Sequence, residues 1–147
     1  MSVLQLVYIS AASKPIEPQR LAELLARARR KNMALGVTGV LVHDGGSFLQ
    51  VLEGAETVVE TLFRVIESDP RHRRVIVLGR QLVAQPAFGN WQMGFVDRAH
   101  AELKVLPGFK DLSGAAFDPA TFTDVKSRAY YLLEAFSVGR FRQFVAD

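Results

Sequence analysis

Three polar side chains stand where the surrounding pattern calls for apolar ones, and their chemistries are complementary. Gln50 sits in the middle of Phe48-Leu49-Gln50-Val51-Leu52, which otherwise reads as a buried strand. A buried carboxamide without partners costs on the order of 1–3 kcal/mol, so Gln50 must be hydrogen-bonded to something. Asn32 falls eleven residues after Leu21, only about 20° from it around an α-helix, so an amide ends the apolar stripe of Leu21, Leu24, Leu25 and Ala28. Tyr8 lies in an early strand, on the same face as Leu4, Leu6 and Ser10, while Phe48, Gln50 and Leu52 share one face of theirs. If both faces point toward the helices, Tyr8 and Gln50 meet. A phenol and two amides between a sheet and two helices would suit a flat heteroaromatic with donor and acceptor edges. Plainer accounts stand beside this one. Tyr8 can be a core tyrosine, Asn32 a helix C-cap, and Trp91 and Met93, which share parity with Phe95, simple core residues. Gln50 has the weakest plain account.

The elements that must position these residues follow from periodicity and turn chemistry. Val3 to Ser10 alternate as a first strand; Ser13-Lys14-Pro15 turns, and Pro18 suits the first turn of a helix running to about Asn32. Gly36 stops it, and Val37 to His43 form a second strand. Asp44-Gly45-Gly46 has the chemistry of a hairpin turn, and Ser47 to Glu53 return as a third strand. Gly54 breaks this strand, and a second helix turns Val58, Val59, Leu62, Phe63 and Ile66 inward until Asp69-Pro70. Val75 to Val83 and Trp91 to Val96 complete a βαββαββ order. That order predicts an α+β, ferredoxin-like fold: a mixed five-stranded sheet with two helices on one face.

Beyond Asp97 the character changes. Residues 98–117 carry Pro107, Gly108 and Gly114 and read as loop. Asp118-Pro119 opens a helix with Phe122, Val125, Ala129, Leu132, Leu133 and Phe136 on its apolar side. The predicted division is therefore a compact domain over 1–97 and a helical cap or output segment over 98–147. Tyr130, Tyr131, Phe136, Phe141 and Phe144 are many aromatics for so short a segment, and a homo-oligomer, a dimer or larger, is expected.

Composition narrows the classes. The 147 residues are 49% hydrophobic and 22% charged, which predicts a packed core. The N-terminus lacks the features of a secretory signal and no apolar run is long enough to span a membrane, so a cytoplasmic protein is expected. The absence of cysteine removes disulfides, thiolate nucleophiles and cysteine-bound zinc; no metal site is expected. The net charge of +3 gathers in Arg27-Ala28-Arg29-Arg30-Lys31 and Arg71-His72-Arg73-Arg74. A diphosphate or a nucleic acid could use such clusters, as could plain solvation of a helix end and a loop.

Taken in order, the segments LVYIS (6–10), ARARRKN (26–32), LGVTGVLVHDGGSFLQVLEG (35–54), ESDPRHR (67–73) and NWQMGF (90–95) resemble the BLUF family, blue-light sensors that use flavin. The resemblance covers roughly Val3 to Asp97. It implies an isoalloxazine ring between the two helices, with FAD as the cofactor and FMN as the alternative. Tyr8 matches the tyrosine that gives an electron and then a proton to the excited flavin. Gln50 matches the glutamine between that tyrosine and the flavin, whose light-driven change of orientation or tautomer shifts the absorption to the red. Asn32 matches the asparagine on the pyrimidine edge, Trp91 and Met93 the pair that relays the signal into the fifth strand, and Asp69, Arg71 and His72 the loop lining the outer part of the site; Met93 also counts among the cofactor contacts.

Two positions depart from the family pattern. Lys31 stands where many members carry a second polar residue, often asparagine, and Val65 where some carry a basic one; Arg64 next to it is expected to pair with Glu60 four residues earlier. The resulting expectation is a non-enzymatic blue-light photoreceptor that signals to a separate partner protein, since no effector domain fits in residues 98–147. The rival readings are an acylphosphatase-like hydrolase of phosphate esters, which lacks an arginine-bearing phosphate loop after the first strand, and an RNA-binding sheet, for which Tyr8 and Phe48 are the only exposed-aromatic candidates. Neither a membrane nor a nucleic acid is the expected partner.

Overall fold

The computed structural model describes residues 3–14, 16–44, 46–86, 94–97, 132 and 135–136. Its elements are β1 (Val3–Ala12), α1 (Pro18–Leu35), β2 (Thr38–Asp44), β3 (Ser47–Gly54), α2 (Glu56–Glu67), β4 (His72–Val83) and β5 (Gly94–Asp97). The sheet order is β4-β1-β3-β2-β5, with β1, β3, β4 and β2 joined antiparallel and β5 running parallel to β2. This is an α+β fold in which β1 and β3 are central. Both are buried along almost their whole length, whereas the edge strand β4 alternates between half-buried and exposed.

Register fixes the two faces of the sheet. Leu4, Leu6, Tyr8 and Ala12 from β1, Leu41 from β2, and Phe48 and Leu52 from β3 form one core with Leu21 and Leu25 of α1 and Val59 and Leu62 of α2. Both helices therefore cover the same face, as right-handed crossovers require. Chain reversal after α1 uses Gly36 at φ 70°; its N–H and that of Val37 close on carbonyls of the last turn, and Val37 N donates to Asn32 O at 2.9 Å. Gly39 lies so close to β3 that any side chain there would run into the Val51 carbonyl.

Phe136 is buried and, with Leu132 and Ala135, helical. On the opposite face of the sheet Val7, Val40, Leu49 and Val51 are buried. A polar row crosses this face in register. Gln81 Nε2 donates to Gln5 Oε1 (3.2 Å), Gln5 Nε2 donates to Glu53 Oε2 (2.9 Å), and Thr38 Oγ1 reaches Glu53 Oε1 at 3.5 Å. Gln5 pairs across the ladder with Gln81 on one side and Glu53 on the other, and Glu53 pairs with Thr38, so four strands are tied by one rung.

Helix α1, strand β4 and the partner of Glu60 differ from the sequence reading. Helix α1 runs to Leu35, because the left-handed Gly36 and not Asn32 terminates it. Strand β4 starts at His72, inside the basic segment read as loop; Ala12 and Ala11 pair with His72 and Arg73, and a bulge with Arg74 at φ 54° absorbs the irregularity. Glu60 pairs with Arg80 of β4 and not with Arg64, because β4 lies beside α2. Trp91, Met93 and most of the segment 98–147 lie outside the described residues. Among the described residues no helix is long and apolar enough to cross a membrane.

Replacing Gln5 by Leu keeps the volume but takes a donor from buried Glu53 and an acceptor from Gln81. The expected cost is about 2 kcal/mol of unfolding free energy. Urea denaturation measures it; an unchanged midpoint would show that the rung carries no stability.

Candidate functional site

The register of β1 against β3 sets Tyr8 directly opposite Gln50, both on the helix side. Tyr8 Oη donates to Gln50 Oε1, and the two residues are 3% and 6% exposed. This hydrogen bond commits the Gln50 carbonyl to the phenol, and the other end of the amide is a donor. The Tyr8 ring also meets Phe63 of α2, with centroids 5.4 Å apart. Burial pushes the phenol pKa well above its ordinary value, and the negative charge of Asp69 adds to the shift. Tyr8 is therefore held as a neutral donor.

Tyr8 and Gln50 form the floor of a cavity of about 210 Å³ between α1, α2 and the sheet. Its walls are largely apolar: Ile16, Leu24 and Ala28 on the α1 side, Leu41, Phe48 and Leu52 on the sheet, and Leu62, Val65 and Ile66 on α2. Asn32 lines it too and is 3% exposed, so its side chain belongs to the cavity while Gly36 caps the helix. Asp69, Arg71 and His72 line the end beside Tyr8, where the His72 and Tyr8 ring centroids are 6.4 Å apart.

That end is itself organised. Asp69 Oδ1 accepts from the Arg71 backbone N–H at 2.9 Å, and the Arg71 guanidinium closes on the same carboxylate, with Nε at 3.0 and 2.9 Å from its two oxygens. These hydrogen bonds hold the Asp69 carboxyl below its usual range. His72 Nε2 donates to the Ile66 carbonyl at the end of α2, which leaves Nδ1 to accept from Ser10 Oγ at 3.0 Å. His72 thus ties the start of β4 to both β1 and α2.

Of the residues singled out in the sequence, Tyr8, Asn32, Gln50, Asp69, Arg71 and His72 line one cavity. Ser10, Arg27 and Lys31 line it as well and were not assigned to it. Ser10 shares the parity of Tyr8, which was the available signal; the basic cluster on α1 gave no direction. The rival readings find little here. The aromatic Tyr8 and Phe48 are buried beneath helices, not presented on an open sheet for stacking with bases.

A largely apolar cavity floored by a phenol–amide pair, with a second buried amide on its wall, suits a planar heteroaromatic cofactor. Sequence comparison agrees: residues 3–94 match the family BLUF, "Sensors of blue-light using FAD". The photoactivated adenylate cyclase subunit beta of Euglena longa is 38% identical over 91 residues, covering 60% of this chain and 11% of that protein. The blue light- and temperature-regulated antirepressor BluF of Escherichia coli is 33% identical over 76% of this chain and 28% of its own length. Among solved structures, Klebsiella pneumoniae BlrP1 with FMN and cyclic diGMP superposes with a TM-score of 0.75 at 36% identity, covering 93% of this chain and 35% of that one. The chain belongs to the BLUF family of flavin-binding blue-light sensors. It spans about a tenth of the length of the cyclase subunits it matches.

The residues present fit a flavin. The apolar walls suit the ring faces, and the amides of Gln50 and Asn32 can answer an edge on which carbonyl and N–H groups alternate.

Alkaline titration tests the state of Tyr8. Of the three tyrosines, one should stay protonated after the others ionise, as read by ultraviolet difference absorption. Because the folded-state pKa is raised, the stability it contributes is complete below the unfolded value of about 10 and falls as pH rises beyond it. Simultaneous ionisation of all three in folded protein would contradict the buried, neutral phenol.

Proposed function

We propose that this chain is a photoreceptor in which Tyr8 and Gln50 convert absorption by a bound flavin into a change of hydrogen bonding. The observation that carries this reading is the buried Tyr8–Gln50 hydrogen bond on the floor of the cavity. When bound, the flavin supplies the blue-light absorption and an excited state that is a strong electron acceptor. Everything else falls to the chain. Tyr8 is the electron and proton donor; its proton is already directed at Gln50 Oε1.

Gln50 acts as the switch because its amide has an acceptor at one end and a donor at the other. Reorienting or tautomerising that amide changes what it offers to Tyr8 and to the cavity at once. Asn32 holds the pyrimidine edge from α1. Asp69, Arg71 and His72 shape the end beside Tyr8, with the Asp69–Arg71 pair closing the loop and His72 bracing it against β1. The burial of Tyr8 and Gln50 also keeps water from the hydrogen bond, which keeps the two states of Gln50 distinct.

Trp91 and Met93, just before β5, are the proposed relay into that strand, which lies beside Leu41 through the β2–β5 pairing. The segment 98–147 is proposed to cover the sheet face away from the helices and to carry the output. The burial of Val7, Leu49 and Val51 supports a cover on that face. The chain itself does no catalysis; a separate effector protein receives the signal, and association between copies of the chain accompanies it. FAD is the proposed cofactor, after the description of the family, with FMN, present in a BlrP1 structure, as the alternative.

Purified protein should be yellow, and blue light should move its flavin band reversibly to longer wavelength. Gln50→Leu should still bind flavin but lose that shift entirely, as absorption spectroscopy before and after illumination would read. A normal shift in this variant removes Gln50 from the mechanism.

A further inference from the structure

The phenol of Tyr8 lies close to an open side of the sheet. On its own face it stands between Gln50 of β3 and Val77 of β4. Strand β4 is an edge and Val77 is 44% exposed, so the sheet by itself leaves Tyr8 uncovered on that side. Tyr8 is nevertheless buried. The cover has to come from α2.

That helix presents two flanks. Leu62, Val65 and Ile66 line the cavity. Glu56, Glu60 and Phe63, spaced four and three residues apart, follow a different flank. Arg80 of β4 pairs with both glutamates, so this flank faces the edge strand. Phe63 occupies its next turn, half-buried and packed against the core, and is not among the residues that line the cavity. Its ring meets that of Tyr8 with centroids 5.4 Å apart and planes inclined by 56°, a tilted arrangement that aromatic pairs favour. A second ring, that of His72, stands edge-on at 6.4 Å, with its nitrogens engaged by Ser10 and Ile66. Asp69, the charge that acts on the phenol, is held by Arg71. Phe63 thus gives Tyr8 contact and cover without charge or hydrogen bond.

We infer that Phe63 is a positioning residue for the photochemical step: it backs the Tyr8 ring at the open edge of the sheet, keeping the phenol aimed at Gln50 and shielded from water. The inference rests on the reading of Tyr8 as donor to a bound flavin. In that step one electron passes from the phenol, which is oxidised, to the excited flavin, which is reduced. The phenolic proton follows toward the flavin through the hydrogen bond to Gln50. Both transfers depend on aligned donors and acceptors in a dry setting, so a residue outside the cavity lining governs their yield through Tyr8.

Phe63→Leu, Tyr8→Phe and the double variant, made in the full-length protein, test this with two readouts. The first uses no light. On alkaline titration the late-ionising phenol should be absent from Tyr8→Phe, and in Phe63→Leu it should ionise at a lower pH because water reaches it. The second is the lifetime of flavin fluorescence, together with the quantum yield of the red-shifted state. Phe63→Leu should bind flavin with an unaltered dark spectrum, which reports that it is folded, and keep a red shift of normal size. Its fluorescence lifetime should lengthen and its yield fall roughly three-fold or more. Added to Tyr8→Phe, the same change should leave the lifetime where Tyr8→Phe alone puts it. Phe63→Tyr, which keeps the ring, should leave the lifetime short. An unchanged lifetime in Phe63→Leu would overturn the inference while leaving the flavin site standing. Equal lengthening with and without Tyr8 would overturn it too, by placing the effect on the flavin and not on the phenol. A normal lifetime in Tyr8→Phe, or failure of the unaltered protein to take up flavin, would instead bring down the photochemical reading, and the inference with it.

Discussion

The hydrogen bond from Tyr8 to Gln50 is the constraint around which the domain is arranged. It joins the two central strands at residues directly opposite each other, and it exists only because β1 and β3 pair antiparallel in one register. A slip of one residue would send either side chain to the far face of the sheet. The same bond needs a dry setting, since water would compete for the phenol and for both ends of the amide. The helices supply that setting from above, with Leu62 and Phe63 of α2 and Leu25 of α1 in the surrounding core.

That register is reinforced away from the cavity. On the other face the row Gln81, Gln5, Glu53 and Thr38 ties the four antiparallel strands side chain to side chain, as the backbone ladder ties them main chain to main chain. Polar groups in such a place are costly unless satisfied, and here each finds its neighbour across the ladder. His72 plays a related part at the end of the cavity beside Tyr8. Its two ring nitrogens reach α2 and β1, so the loop that carries Asp69 and Arg71 is held against the sheet that carries Tyr8.

Such a domain is an input without a fixed output. Relatives that share its sequence include subunits of photoactivated adenylate cyclases and an antirepressor, proteins whose remaining lengths differ in kind. The cavity is built from β1, β3, α1, α2 and the loop before β4, all within the matched segment. On the proposed reading of the cavity, the chemistry of light detection is separable from whatever receives the signal. An amide with two states suffices as the source, provided that a neighbouring element makes different contacts with each.

The sequence by itself determined the order of elements, the class of fold and the anomaly at Gln50, because alternation, helical stripes and glycine or proline punctuation are local properties. Strand parity also put Tyr8 and Ser10 on one face and Gln50 on one face of its own strand. Tertiary structure decided which of these faces met. It gave Asn32 to the cavity wall instead of the helix end, since Gly36 could adopt the left-handed turn that Asn32 did not need to supply. It drew the charged His72-Arg73-Arg74 into an edge strand, where pairing with β1 outweighed a composition that reads as loop. It also turned Glu60 to Arg80 across elements and aligned Gln5 with Glu53 across forty-eight residues of chain. These outcomes depend on contacts between distant segments, and no local pattern encodes the partner that a side chain will find once the strands have paired.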